Sequence, residues 1–134
     1  MYLLDTNVIS EAKRKNPYAL RWIEQTRVEN HHICVVSLTE ISKGAHLIEP
    51  RDKIRAAAIF DWLRVLQAQF SSRMITIDQA AAAECGRISA IRTRGEIDCL
   101  IAAAAIVHGL TLVTRNIRDF TDTGVKLVNP WAEP

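Results

Sequence analysis

Ile33-Cys34-Val35-Val36 is apolar at every position, rich in β-branched residues, and bounded by the polar His31-His32 before it and Ser37 after it. A strand with one wet face alternates apolar and polar residues. A continuous run is the pattern of a strand covered on both faces, as in a parallel sheet between two layers of helix. Three further runs fit the same scheme, namely Tyr2-Leu3-Leu4, Met74-Ile75-Thr76-Ile77 and Leu110-Thr111-Leu112-Val113, with Lys126-Leu127-Val128 as a candidate fifth strand.

The segments between these runs carry helical spacing. Val8, Ile9 and Ala12 begin a helix that stops at Lys13-Arg14-Lys15-Asn16-Pro17, and a second helix is expected over about Tyr18 to Thr26. Leu38, Ile41, Ala45 and Ile48 recur at intervals of three and four, as do Ile59, Leu63, Leu66 and Phe70 beyond Glu49-Pro50. Asp78 opens another helix, and one more runs from about Ile97 through Val107. Strands alternating with helices predict an α/β fold, because parallel neighbours need crossover connections that cover the sheet.

With 134 residues and 49% hydrophobic content, the chain reads as one domain over 1–134. Its start lacks the basic and apolar stretches of a signal peptide, and no run is long enough for a membrane helix, so a soluble, cytoplasmic protein is expected. Cys34, Cys85 and Cys99 are odd in number, widely spaced and set among apolar residues, which suits reduced core thiols better than disulfides or a zinc site. A formal charge of +2 does not by itself mark a nucleic-acid binder.

In a parallel sheet, ligands collect beyond the carboxyl ends of the strands. Asp5 follows the first strand, Glu40 lies one turn into the helix after the second, Asp98 opens the helix before the fourth, and Asp119 lies just past the fourth. Carboxylates brought to one rim suit magnesium or manganese, which prefer oxygen ligands. Each acid also has an ordinary reading. Ser37-Leu38-Thr39-Glu40 fits a capping box, Asp5 and Asp98 could cap helices, and Asp119 could be a loop acid. Asp5 and Asp98 sit in apolar surroundings, however, where a lone charge costs several kcal/mol without a partner. Asp78 also follows a strand and is assigned to capping.

Five segments stand in order along the chain: Leu4-Asp5-Thr6-Asn7-Val8-Ile9-Ser10, Ser37-Leu38-Thr39-Glu40-Ile41, the stretch from Ile97-Asp98-Cys99 to Ala105, Thr114-Arg115-Asn116-Ile117-Arg118-Asp119-Phe120, and Val128-Asn129-Pro130-Trp131. Together they resemble the PIN-domain ribonucleases, and within them the VapC toxins of VapBC toxin–antitoxin systems. The resemblance implies a single PIN-like domain with a mostly parallel four- to five-stranded sheet. It implies that Asp5, Glu40, Asp98 and Asp119 form an acidic pocket for Mg2+ or Mn2+, supported by Thr6 and Asn116. Many relatives carry an acid where this chain has Asn116, which leaves the fourth ligand open. The expected activity is hydrolysis of RNA phosphodiesters by metal-activated water, leaving a 5′ phosphate.

His31, His32, His46 and His108 occupy none of these positions, which argues against a metal-free ribonuclease. Arg92, Arg94, Arg115 and Arg118 flank the acidic segments and are candidates for holding RNA phosphates. The family further implies a cognate antitoxin that can bind operator DNA, and a homodimer. The rival readings are a non-catalytic PIN-like subunit of a DNA-binding regulatory complex, and a phosphotransfer receiver or phosphatase. Against the latter, Asp5-Thr6-Asn7 lacks the second acid of a phosphatase motif.

Overall fold

A computed structural model describes residues 1–132. It contains a five-stranded sheet in the order β3-β2-β1-β4-β5, every adjacent pair parallel. The strands are β1 (Tyr2–Leu4), β2 (His31–Cys34), β3 (Met74–Ile75), β4 (Thr111–Val113) and β5 (Leu127–Val128). The helices are α1 (Thr6–Lys13), α2 (Pro17–Gln25), α3 (Val35–Ile48), α4 (Lys53–Gln69), α5 (Gln79–Ile91) and α6 (Glu96–Val107).

The period-two geometry of the strands divides the core between the two faces of the sheet. Leu3, Cys34 and Leu112 pack on one side with Ile88, Cys99 and the alanine run Ala102–Ala105 of α6. Leu4, Ile33 and Val113 point to the other side, against Val8, Ile9, Ile41 and Leu66. The sheet is therefore covered twice, as the uninterrupted apolar runs require. Burying each Leu or Ile stabilises by about 1.5–3 kcal/mol. Small side chains along α6 let that helix lie close to the sheet, and all four alanines are fully buried.

Local signals set the helix ends. Pro17 occupies the first turn of α2, and the Asn16 side chain accepts from the amides of Tyr18 and Ala19 at 3.0 and 3.3 Å. Gly109, at φ 65°, closes α6: its amide donates to the carbonyl of Ile106 and that of Leu110 to Ala105. This paired return satisfies the last carbonyls of the helix and aims the chain into β4.

The structure corrects the expected span of the second strand. It occupies His31–Cys34, and Val35 and Val36 already belong to α3. Pairing decides this, because β1 offers Tyr2, Leu3 and Leu4 as partners for His31, His32 and Ile33. The polar His31 is accommodated by a 2.6 Å hydrogen bond with the Thr26 hydroxyl and by stacking on Trp22. The third strand is likewise shorter than expected, ending at Ile75, since its only sheet neighbour, β2, ends at Cys34. Among the described residues no helix is long and apolar enough to cross a membrane, and the three cysteines are free thiols.

Candidate active site

The register of the two central strands builds the site. Leu4 of β1 pairs with Val113 of β4, so the next residues, Asp5 and Thr114, emerge side by side at the carboxyl edge. The Asp5 amide donates to the carbonyl of Val113 at 2.9 Å, carrying the ladder one step further. Asp5 is the N-cap of α1, and its Oδ1 accepts from the Thr6 amide at 2.8 Å. Its Oδ2 accepts from Thr114 Oγ1 at 2.8 Å and from Asn7 Nδ2 at 3.3 Å.

These donors hold a carboxyl that is only 4% exposed. Burial pushes its pKa up to about 6, against the hydrogen bonds from Thr114 and Thr6, and the negative charges of Asp98 and Glu40 push the same way. Asp98 lies in the first turn of α6, half-buried. It too is raised, by burial and then by Asp119 and Glu40, with Arg94 opposing. Each of the four acids thus lies within electrostatic reach of at least one other, although they come from α1's cap, α3, α6 and the short 3-10 turn Ile117–Asp119.

Glu40 is not part of a capping box. Because α3 begins at Val35, Ser37 sits inside the first turn, and the N-cap is Cys34 with no side-chain bond. Instead the Thr6 hydroxyl donates to Glu40 Oε1 at 2.5 Å. Thr6 Oγ1 and Ser37 Oγ are 2.8 Å apart, and each hydroxyl carries one proton. With the Thr6 proton directed to Glu40, Ser37 is the donor to Thr6. Asp78, by contrast, is the ordinary cap it was expected to be, accepting from the Ala81 amide at 2.8 Å.

The donor set consists of carboxylate and hydroxyl oxygens, the chemistry of magnesium or manganese rather than of softer metals. As the side chains stand, no group of three or more His, Cys, Asp or Glu among the described residues is close enough together to hold an ion. Asp5 and Glu40 instead accept from donors of the chain itself, Thr6, Asn7 and Thr114.

Three contributors were absent from the expected site. Thr114 and Ser37 are fully buried hydroxyls, and Asn7 bridges the first and fourth strands through Asp5 and Thr114. A polar residue directly after each of two adjacent apolar strands was the sequence signal for Asp5 and Thr114. Asn116 acts through its backbone, whose amide donates to Thr114 Oγ1 at 3.0 Å, while its side chain is exposed.

The four arginines divide into two pairs. The Arg94 side chain is almost wholly buried and grips Asp122 with two bonds, at 2.8 and 2.9 Å. Arg92 adds a third, from Nε at 2.8 Å. Both candidates for RNA phosphates therefore also bond Asp122 within the fold, Arg94 from a buried side chain and Arg92 from one that is 44% exposed. Arg115 and Arg118 remain exposed at the rim, with the Arg115 guanidinium stacked 5.0 Å from the Trp131 ring centre. The histidines stand apart, with His31 at the start of β2, the end of the sheet away from the acids.

Comparison with known proteins agrees with this geometry. The model of the PIN domain matches residues 2–126. The chain is 31% identical to the plasmid stability protein StbB of Pseudomonas syringae pv. tomato, covering 98% of this chain and 99% of that one. It is 28% identical to the VapC ribonuclease Y4jK of Sinorhizobium fredii, covering 98% of each. Among solved structures, FitAcB from Neisseria gonorrhoeae superposes with a TM-score of 0.87 at 28% identity, over 99% of this chain and 100% of that one. A FitAB structure bound to a DNA fragment aligns with the same TM-score at 25% identity, over 100% and 98%. A parallel sheet covered on both faces, four acids on its carboxyl edge and a family match over nearly the whole chain lead to one conclusion: this protein belongs to the PIN-domain family.

Proposed function

We propose that this protein is a magnesium- or manganese-dependent endoribonuclease acting as the toxin of a type II toxin–antitoxin pair. The observation that carries this reading is the gathering of Asp5 and Asp98 with Glu40 and Asp119 at one edge of the sheet, where burial first and then neighbouring charge raise both aspartates, Asp5 to about 6. Such an arrangement is costly when empty and is relieved by a cation. The ribonuclease name of the 28% identical relative supports RNA as substrate.

In this reading Asp5 and Asp98 are the direct oxygen ligands, and Asp119 contributes through water. A bound divalent ion supplies a lowered pKa for the attacking water and neutralises charge on the phosphoryl oxygens. Thr114, Asn7 and the Thr6 amide fix the plane of the Asp5 carboxylate, so that its charge is presented in one orientation. The Thr6 hydroxyl anchors Glu40 through Oε1, leaving Oε2 as acceptor for a proton from the attacking water. Arg115 and Arg118 hold flanking phosphates at the rim.

The antitoxin has a fitting surface. A groove of about 550 Å³ runs from Thr6 and Glu40 over Ile41, Ile48, Ile59 and Trp62. A partner helix laid there reaches the acids from one end. Ile54, 87% exposed on α4, and Leu47, 64% exposed on α3, add apolar surface suited to covering in a homodimer or by the antitoxin.

The test is cleavage of a labelled RNA of mixed sequence. Activity with Mg2+ or Mn2+ that disappears with chelator and with Asp5→Asn is the expected result. Intact RNA under all conditions, combined with operator DNA binding by the toxin–antitoxin complex, would establish the non-catalytic regulatory subunit instead.

A further inference from the structure

We infer that Arg94 and Asp122 form a clamp whose task is to set the spacing of Asp98 and Asp119. This rests on the proposed active site and adds two positioning residues to it. Arg94 lies in the loop between α5 and α6, one residue before Gly95, the N-cap of the helix that carries Asp98. Asp122 lies three residues beyond Asp119. One planar guanidinium therefore ties together the two segments that bear these acids.

The bonds are specific. Arg94 Nη1 donates to Asp122 Oδ1 at 2.8 Å and to the Asp119 carbonyl at 2.9 Å, while Nη2 donates to Asp122 Oδ2 at 2.9 Å. Arg92 reinforces the same turn, donating to Asp122 Oδ2 at 2.8 Å and to the Asp119 carbonyl at 3.2 Å. A two-pronged Arg–carboxylate pair fixes orientation as well as distance, which a lysine cannot do. Asp98 and Asp119 repel each other, so without a tie across the gap their segments would relax apart.

Stability alone does not account for the arrangement. The Arg94 side chain is 3% exposed, and its Nε is buried with no hydrogen-bond partner among the described residues. A buried donor left unpaired is a cost, which the fold bears to keep a guanidinium at this point. The apolar segments on either side supply packing without it, through Cys99 and Phe120, each 1% exposed.

The experiment compares the full-length parent with Arg94→Lys, Asp122→Asn, the double variant, and Arg64→Ala as a control for loss of an exposed arginine. Mn2+ affinity is read from the metal-induced shift in melting temperature, and RNA cleavage is resolved into kcat and KM. Both single variants should raise the half-saturating Mn2+ concentration at least fivefold and lower kcat at least tenfold, with KM changed less than threefold. The double variant should do no worse than the poorer single, as a shared contact demands. Arg64→Ala should match the parent. A parent that neither binds Mn2+ nor cleaves overturns the proposed function and the clamp with it. A parent that does both, with folded Arg94→Lys or Asp122→Asn equal to it, overturns the clamp alone; additive losses in the double variant do so too. Should Asp122→Asn fail to fold, Arg94→Lys, which keeps the positive charge, decides.

Discussion

Replacing Asp5 with asparagine should stabilise the metal-free protein at neutral pH while abolishing its activity. The carboxyl is 4% exposed and its pKa is raised from 3.8 to about 6, which corresponds to about 3 kcal/mol of penalty on the charged form. A carboxyl whose folded pKa lies above its unfolded value binds its proton more tightly when folded. Its contribution is therefore fully present below about pH 3.8 and is lost as pH rises through about 6. At pH 7.5 the parent bears the whole penalty and Asp5→Asn bears none. The amide keeps one oxygen for the Thr6 amide but cannot accept from the Thr114 hydroxyl, and losing a bond to a charged group costs about 1.5–3 kcal/mol. The net gain is thus about 1 kcal/mol at pH 7.5, or roughly 3–5 °C in melting temperature for a domain of this size. At pH 4, with the parent carboxyl protonated, the gain should vanish or reverse. Thermal melts of both proteins in chelator between pH 4 and 8 measure this directly. A variant less stable than the parent at pH 7.5 by as much as at pH 4 would refute the argument that burial strains this charge.

Metal should act on the same strain from the other side. Millimolar Mg2+ or Mn2+ should raise the parent's melting temperature by several degrees and leave Asp5→Asn nearly unmoved, as ligand binding to the folded state adds stability. Thr114→Val, close in shape but without the hydroxyl, should cost about 1.5–3 kcal/mol in denaturant unfolding at pH 7.5, because it leaves Asp5 Oδ2 with only the longer bond from Asn7 and strands the Asn116 amide. That cost should shrink toward pH 4, where Asp5 is neutral. Arg115→Ala should weaken RNA affinity and lower the slope of log affinity against log salt by about 1, the signature of one lost phosphate contact. An unchanged slope would remove Arg115 from the interface.

The features legible in the sequence share a cause, since each rests on a local pattern. Apolar runs announced four strands, intervals of three and four announced the helices, and the break at Asn16-Pro17 and the cap Asp78 marked helix ends whose geometry is local. The acids stood out because Asp5 and Asp98 interrupt sequence that is otherwise apolar. Their partners did not stand out. Thr114 is an ordinary residue until the Leu4–Val113 register sets it beside Asp5, 109 positions away in the chain. Ser37 read as half of a capping box until the N-cap fell three residues earlier, at Cys34, and Glu40 was left to Thr6. Arg92 and Arg94 read as candidates for RNA phosphates, and nothing local showed that the turn at Asp119 brings Asp122 under them.

By itself, the order of residues determined that this chain makes a doubly covered parallel sheet and that certain acids sit at strand ends, because periodicity and the cost of an unpaired charge are properties of neighbouring residues. The tertiary structure alone decided where β2 stops, which hydroxyls hold which carboxylates, and which arginines bond Asp122. Those outcomes depend on strand register and on distances between segments far apart in the chain, and long-range pairing is fixed only when the whole core closes.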